Sequence, residues 1–204
     1  MNIPALLALL AFTVSMCFTP GPNNVLCAAH GSRHGVRKTI PLIGGMAIGW
    51  SVLGLGIGVS TVFIEENESI IQILSYLGAT YIAYLGYKIA MASSIEEKGN
   101  AEDVLGPKTG FVLQIVNGKA WIHFVVLMTT FGTVFGTGVE GKVALVLLNL
   151  SFGFLAVLSW AAFGTLLRNI FSGEEAGIWL NRGLGLLLFF VAVWIAVPYT
   201  VFGP

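Results

Sequence analysis

Long apolar runs separated by short polar clusters organise the whole chain. Six of them, at 3–29, 40–63, 69–92, 110–132, 141–166 and 178–201, are long enough to cross a bilayer. About twenty helical residues at 1.5 Å each span roughly 30 Å of hydrocarbon. The pattern therefore predicts six transmembrane helices. The acidic residues sit in or beside the gaps: Glu65, Glu66 and Glu68; Glu96, Glu97, Glu102 and Asp103; Glu140; Glu174 and Glu175. The longest connector, 93–109, carries Ser93, Ser94, Gly99, Asn100 and Pro107 and reads as a polar loop. The other connectors are too short to hold a second unit, so residues 1–204 form one transmembrane domain.

Composition agrees with lipid as the solvent. Hydrophobic residues make up 56% of the chain and charged residues 10%, with a mean hydropathy of +0.87. A soluble domain carries roughly 25% charged residues because water must wet its surface. The fold class expected is an all-α membrane protein with lipid as its surrounding partner. The net charge is zero, but its distribution is not even. Arg33, Arg37 and Lys38 lie in the first gap; Lys88, Lys98 and Lys108 in or beside the third; Arg168 and Arg182 flank the fifth. Lys142 alone belongs to the even gaps. The positive-inside rule then makes 30–39, 93–109 and 167–177 cytoplasmic and puts both termini in the periplasm. That topology accounts for the basic residues, so no nucleic acid is invoked.

The first run has no Lys or Arg ahead of it and no small-x-small site after it, so it reads as a retained span rather than a signal peptide. Met16 before Cys17 is a poor lipoprotein context. Cys17 and Cys27 are separated by ~15 Å along a helix axis, too far for a disulfide, and read as free thiols.

Six spans divide into halves of about 1–92 and 110–204. Each half opens on a helix with an interrupted backbone: Thr19-Pro20-Gly21-Pro22-Asn23-Asn24 in one, Gln114-Ile115-Val116-Asn117-Gly118-Lys119 in the other. Three spans per half is an odd number, so the halves insert in opposite senses. The expectation is two inverted three-helix repeats, and interrupted segments at corresponding places mark the binding site of such proteins.

The candidate site follows from those two interruptions. Pro20 and Pro22 remove two backbone donors and Gly21 weakens the helix further. A carbonyl freed in hydrocarbon costs several kcal/mol unless protein, water or ligand satisfies it. Asn23 and Asn24 follow at once with amide donors and acceptors. A simple packing kink is the blander reading of one proline, and two around a glycine favour a polar cavity. Lys119 is the one basic residue well inside a predicted span. A charge there costs at least ~2.5–3.5 kcal/mol on insertion scales, which points to a pathway or a carboxylate partner. Snorkelling to the interface is the alternative, and Gln114 and Asn117 beside it argue against that. His123 shares a helix face with Lys119, though a lone His is more often packed than functional. No Asp or Glu lies within any predicted span.

The substrate-binding set expected is thus Pro20, Gly21, Pro22, Asn23, Asn24, Gln114, Asn117, Gly118 and Lys119. Trp50, Trp121, Trp160, Trp179 and Trp194 read as interfacial anchors or packing elements. Gly45/Gly49 and Gly54/Gly58 have spacings that let helices approach closely. There is no Gly-rich phosphate loop, metal-ligand spacing or nucleophile constellation. No cofactor, metal or enzymatic activity is expected.

These residues are familiar as a set. Phe18-Thr-Pro-Gly-Pro-Asn-Asn-Val-Leu26, Gly31-Ser-Arg-His-Gly-Val-Arg37, Gly44-Gly-Met-Ala-Ile-Gly49, Tyr76 to Gly86 and Gln114-Ile-Val-Asn-Gly-Lys-Ala120 resemble the LysE/RhtB family of amino-acid exporters. The family form around the lysine is Asn-Pro-Lys; Gly118 in place of Pro keeps a flexible break and loses a rigid kink. The Pro-Gly-Pro-Asn-Asn form looks like the branch that exports cysteine and O-acetylserine. The resemblance implies an inner-membrane efflux transporter driven by the proton gradient, with a small amino acid as its partner. A homodimer is the assembly considered. The readings set against it are a non-transporting membrane scaffold, a membrane-embedded enzyme, a channel, and an exporter of basic amino acids or of homoserine and threonine.

Overall fold

The computed structural model describes residues 3–65, 68–91, 104–171 and 173–196. The described residues form seven α-helices: α1 (Ile3–Phe18), α2 (Pro22–Glu65), α3 (Glu68–Ala90), α4 (Pro107–Ile115), α5 (Gly118–Phe131), α6 (Val139–Ile170) and α7 (Glu174–Ala196). The protein is a multi-pass, all-α membrane protein. Among the described residues three helical stretches are long and apolar enough to cross a membrane: Pro22–Ser60, Val139–Ile170 and Glu175–Val193. α4 and α5, two short helices bent by 61° at their junction, make a fourth where the pair is taken as one broken span. The connector expected over 93–109 and the end of the sixth span lie largely outside the described residues.

The first polar gap takes an unexpected form. The sequence predicts a loop over 30–39, yet helix runs through it and α2 departs from helical geometry at Gly35, with φ 78° and ψ 164°. Positive φ suits glycine, which has no Cβ to clash. A second departure is at Ser60.

His30 ties this region together. Leu105 N–H donates to His30 Nε2 at 3.0 Å. The Thr39 hydroxyl donates to Gly35 O at 3.0 Å, so its oxygen accepts from His30 Nδ1–H at 2.8 Å. One neutral imidazole thus joins the two parts of α2 to the segment entering α4.

Between helices in lipid there is little hydrophobic driving force, so close packing has to hold them. Gly45 of α2 lies against Pro107 O, and Gly110 of α4 against Leu42 O. Gly31 of α2 meets the backbone of Ala161 and Gly164 of α6 meets that of Ala28. No Cβ fits at any of the four.

The buried apolar residues separate into two cores. One joins Val25–Ala29, Leu42, Ile43 and Met46 of α2 with Leu113, Val157 and Ala161 and with residues of α3 and α7. The other joins Leu9, Leu53 and Ile57 with Phe124 and Leu127 of α5 and Leu145 and Val146 of α6. Between these cores an opening is lined by Ala47 and Trp50 of α2, Gln114 of α4, Lys119 of α5 and Leu150 and Gly153 of α6. Large apolar side chains cover the outside, among them Ile48, Val52, Val59, Leu155, Leu166 and Phe190, where lipid belongs.

Candidate functional site

The break between α1 and α2 leaves the last carbonyls of α1 without helical partners, since Pro20 and Pro22 have no N–H to offer. Ser15 O keeps the Thr19 N–H at 3.2 Å, and the carbonyls after it find side chains. The Thr19 hydroxyl is shared between Ser15 O at 2.7 Å and Met16 O at 3.2 Å. Asn24 Nδ2 donates to Cys17 O and Thr19 O, both at 2.8 Å. Trp160 Nε1 of α6 reaches Phe18 O at 3.4 Å. Lys119 Nζ, from the other break, contacts Thr19 Oγ1 at 3.1 Å and Thr19 O at 3.4 Å.

The break between α4 and α5 is built from its own residues. Asn117 is the N-cap of α5, with φ −85° and ψ 97°. Its Oδ1 accepts from Lys119 N–H at 3.1 Å, and its carbonyl accepts from Ala120 and Trp121. Trp121 Nε1 then returns to Ile115 O at 2.8 Å. Gly118 therefore does not cost the kink: the 61° bend stands without a proline, held by the cap. That corrects the expectation drawn from the missing Pro.

A chain of amides links the breaks, and its direction is fixed at its origin. The backbone N–H of Lys119 can only donate, so the Asn117 atom it meets is the oxygen. Asn117 Nδ2 then donates to Asn23 Oδ1 at 3.3 Å, and Asn23 Nδ2 donates to Gln114 Oε1 at 3.1 Å. The chain ends on Gln114 Nε2, a buried donor with no partner among the described residues.

These groups enclose a cavity of about 60 Å³ lined by Gly21, Pro22, Asn23, Asn24, Gln114, Asn117 and Lys119, among others. Pro20 and Gly118, the other two expected site residues, do not line it: Pro20 shapes the break and Gly118 is buried at the start of α5. At roughly 10–15 Å³ per water, the space holds about four to six waters or a solute of similar size. It contains no carboxylate in its lining. Lys119 has three N–H donors and spends its described contacts on a single residue, Thr19.

His123 also lines the cavity. Asn149 Nδ2 lies 3.4 Å from Leu145 O, which can only accept, so Asn149 Oδ1 takes the His123 Nε2–H at 2.6 Å. Phe12 stacks on the imidazole at 5.2 Å and Trp50 tilts against it at 5.2 Å.

The LysE type translocator model matches residues 14–198. The chain belongs to that family. It is 34% identical over 185 residues to the cysteine/O-acetylserine efflux protein of Salmonella typhi, covering 89% of this chain and 92% of that one. It is 32% identical over 192 residues to the protein of the same name from Escherichia coli K12, covering 93% and 97%. No solved structure matches it.

Sequence reasoning missed two features of this translocator's cavity. Trp50, expected as an anchor or packing residue, lines it, and its Nε1 is buried without a partner among the described residues. Asn149 holds His123 from α6; an amide inside an apolar run was the available signal. Trp121 and Trp160 do pack, each by giving its indole N–H to a break carbonyl. Cys17 and Cys27 are free and buried, as expected.

Proposed function

We propose that this translocator exports small neutral amino acids and close metabolites, cysteine and O-acetylserine among them, across the inner membrane. One observation carries the proposal: Lys119 faces a small cavity whose lining holds no acidic residue. An uncompensated cation in such surroundings is costly, and a substrate carboxylate is its complement through a charge-assisted hydrogen bond. The related efflux proteins supply the substrate pair. Basic amino acids fit less well, because their side-chain cation meets Lys119 with no carboxylate to hold it.

The architecture proposed is six spans in two inverted three-helix halves. A straight helix over Pro22–Ser60, 39 residues, is ~58 Å long, about twice the hydrocarbon thickness. A division at Gly35 makes its first part the end of span one and its second part span two. Spans one and four are then the two broken helices, each with an Asn at or beside its break, and interruptions at corresponding places are the mark of an inverted repeat's site. The eight-to-one bias of Lys and Arg toward the odd loops supports cytoplasmic odd loops and periplasmic termini. The proton gradient is the energy source that the family resemblance implies.

Extracellular metabolite profiling of cells overexpressing the protein tests this, beside a Lys119→Ala control and a reporter fused to the C-terminus. The expected result is several-fold accumulation of cysteine or O-acetylserine that needs Lys119, with a reporter that behaves as periplasmic. Accumulation of lysine or arginine instead, or accumulation indifferent to Lys119, overturns the function. A cytoplasmic reporter overturns the six-span topology.

A further inference from the structure

Two neutral side-chain donors of the cavity lining have no partner among the described residues. Gln114 Nε2 and Trp50 Nε1 are both buried and unpartnered among the described residues, and both residues line the cavity. Neither can be reoriented into an acceptor. The indole nitrogen only donates. The Gln114 amide is oriented by the chain that starts at Lys119 N–H and runs through Asn117 and Asn23. A donor–acceptor chain polarises its members in one direction, which strengthens the terminal donor. Trp50 stands apart from Trp121 and Trp160, whose indoles are occupied by the carbonyls of Ile115 and Phe18.

The two donors also stand on different elements from Lys119. Gln114 is near the end of α4 and Trp50 is on α2, while Lys119 is on α5 and contacts the α1–α2 break. The cavity lining thus combines a cation with two neutral donors carried on other helices. A ligand that satisfies both carries a carboxylate and, a few atoms away, a second oxygen acceptor.

We propose that Gln114 Nε2 and Trp50 Nε1 read a side-chain oxygen of the substrate, so that the site prefers an O-acyl or amide-bearing amino acid to one ending in a thiol. This rests on the exporter reading above and adds its specificity determinant. The ester carbonyl of O-acetylserine accepts hydrogen bonds well, whereas sulfur accepts weakly. A buried donor left unmatched is the more costly state, so the preference follows from the thiol substrate leaving both donors unmet.

The test is transport of radiolabelled O-acetyl-L-serine and L-cysteine by membrane vesicles containing the full-length protein, normalised to folded transporter. Trp50→Phe keeps the ring and deletes its donor; Gln114→Met keeps the length and deletes the amide. Each is expected to lower the O-acetylserine-to-cysteine transport ratio about tenfold, the loss of one hydrogen bond to a buried donor. The ratio stays informative if absolute rates fall, and Trp50→Phe leaves the Asn23–Gln114 bond intact should Gln114→Met fold poorly. An unchanged ratio in Trp50→Phe, with both substrates slowed equally or neither slowed, overturns the inference and leaves the exporter reading standing. Wild-type vesicles that carry neither substrate overturn both.

Discussion

The two broken helices solve the same problem by opposite means. Between α1 and α2 the prolines remove donors, and the stranded carbonyls are met by Asn24 a few residues on and by two side chains from elsewhere, Trp160 of α6 and Lys119 of α5. Between α4 and α5 a single residue, Asn117, caps the helix that follows, and Trp121 closes the helix before it. The first break is held by local and tertiary contacts together, the second largely by local structure. Lys119 bridges them, rooted in the self-capped break and reaching to the dependent one.

Replacing the bridge has the largest expected effect. Lys119→Met should reduce export about a hundredfold or more, with thermal stability in detergent at or above wild type. Stability is retained because Asn24 still satisfies Thr19 O and a costly cation has been removed. Lys119→Arg keeps the charge but replaces a compact ammonium with a planar fork, and should recover at most part of the activity. Normal export by Lys119→Met removes the lysine from the site; parallel loss of stability and export makes it structural.

The contrast between the breaks is next. Asn24→Leu leaves Cys17 O without its described partner and should destabilise the protein by about 2–3 kcal/mol, the cost of a buried unsatisfied carbonyl. Asn117→Ala removes an N-cap and should cost about 1 kcal/mol. Thermal unfolding in one detergent measures both. Equal losses would show that both breaks depend on their asparagine to the same degree.

The smallest expected effect is at Gly118. It is the first residue of α5, where proline is favoured, and Asn117 before it already has the extended backbone a following proline demands. Gly118→Pro should stabilise by about 0.4–1 kcal/mol through the unfolded chain, with export unchanged. Loss of stability shows that the space around Gly118, rather than its backbone, excludes the ring.

Much of the site was legible because helix-breaking chemistry is local. Proline lacks its N–H wherever it stands, asparagine caps its own helix, and a lysine in an apolar run is conspicuous without any structure. Apolar length also determined the solvent and the helical class, and Gly21, Pro22, Asn23, Asn24, Gln114, Asn117 and Lys119 do surround one cavity. Only the tertiary structure decided which apolar-looking residues join them. A helix that is hydrophobic on every side has no polar face to mark its orientation, so nothing in the order of residues separated Trp50, turned to the cavity, from Trp160, turned to the Phe18 carbonyl. The pairing of Asn149 with His123 and the glycine contacts of α2 with α4 and α6 join residues distant in sequence. Partners of that kind exist only once the helices have packed.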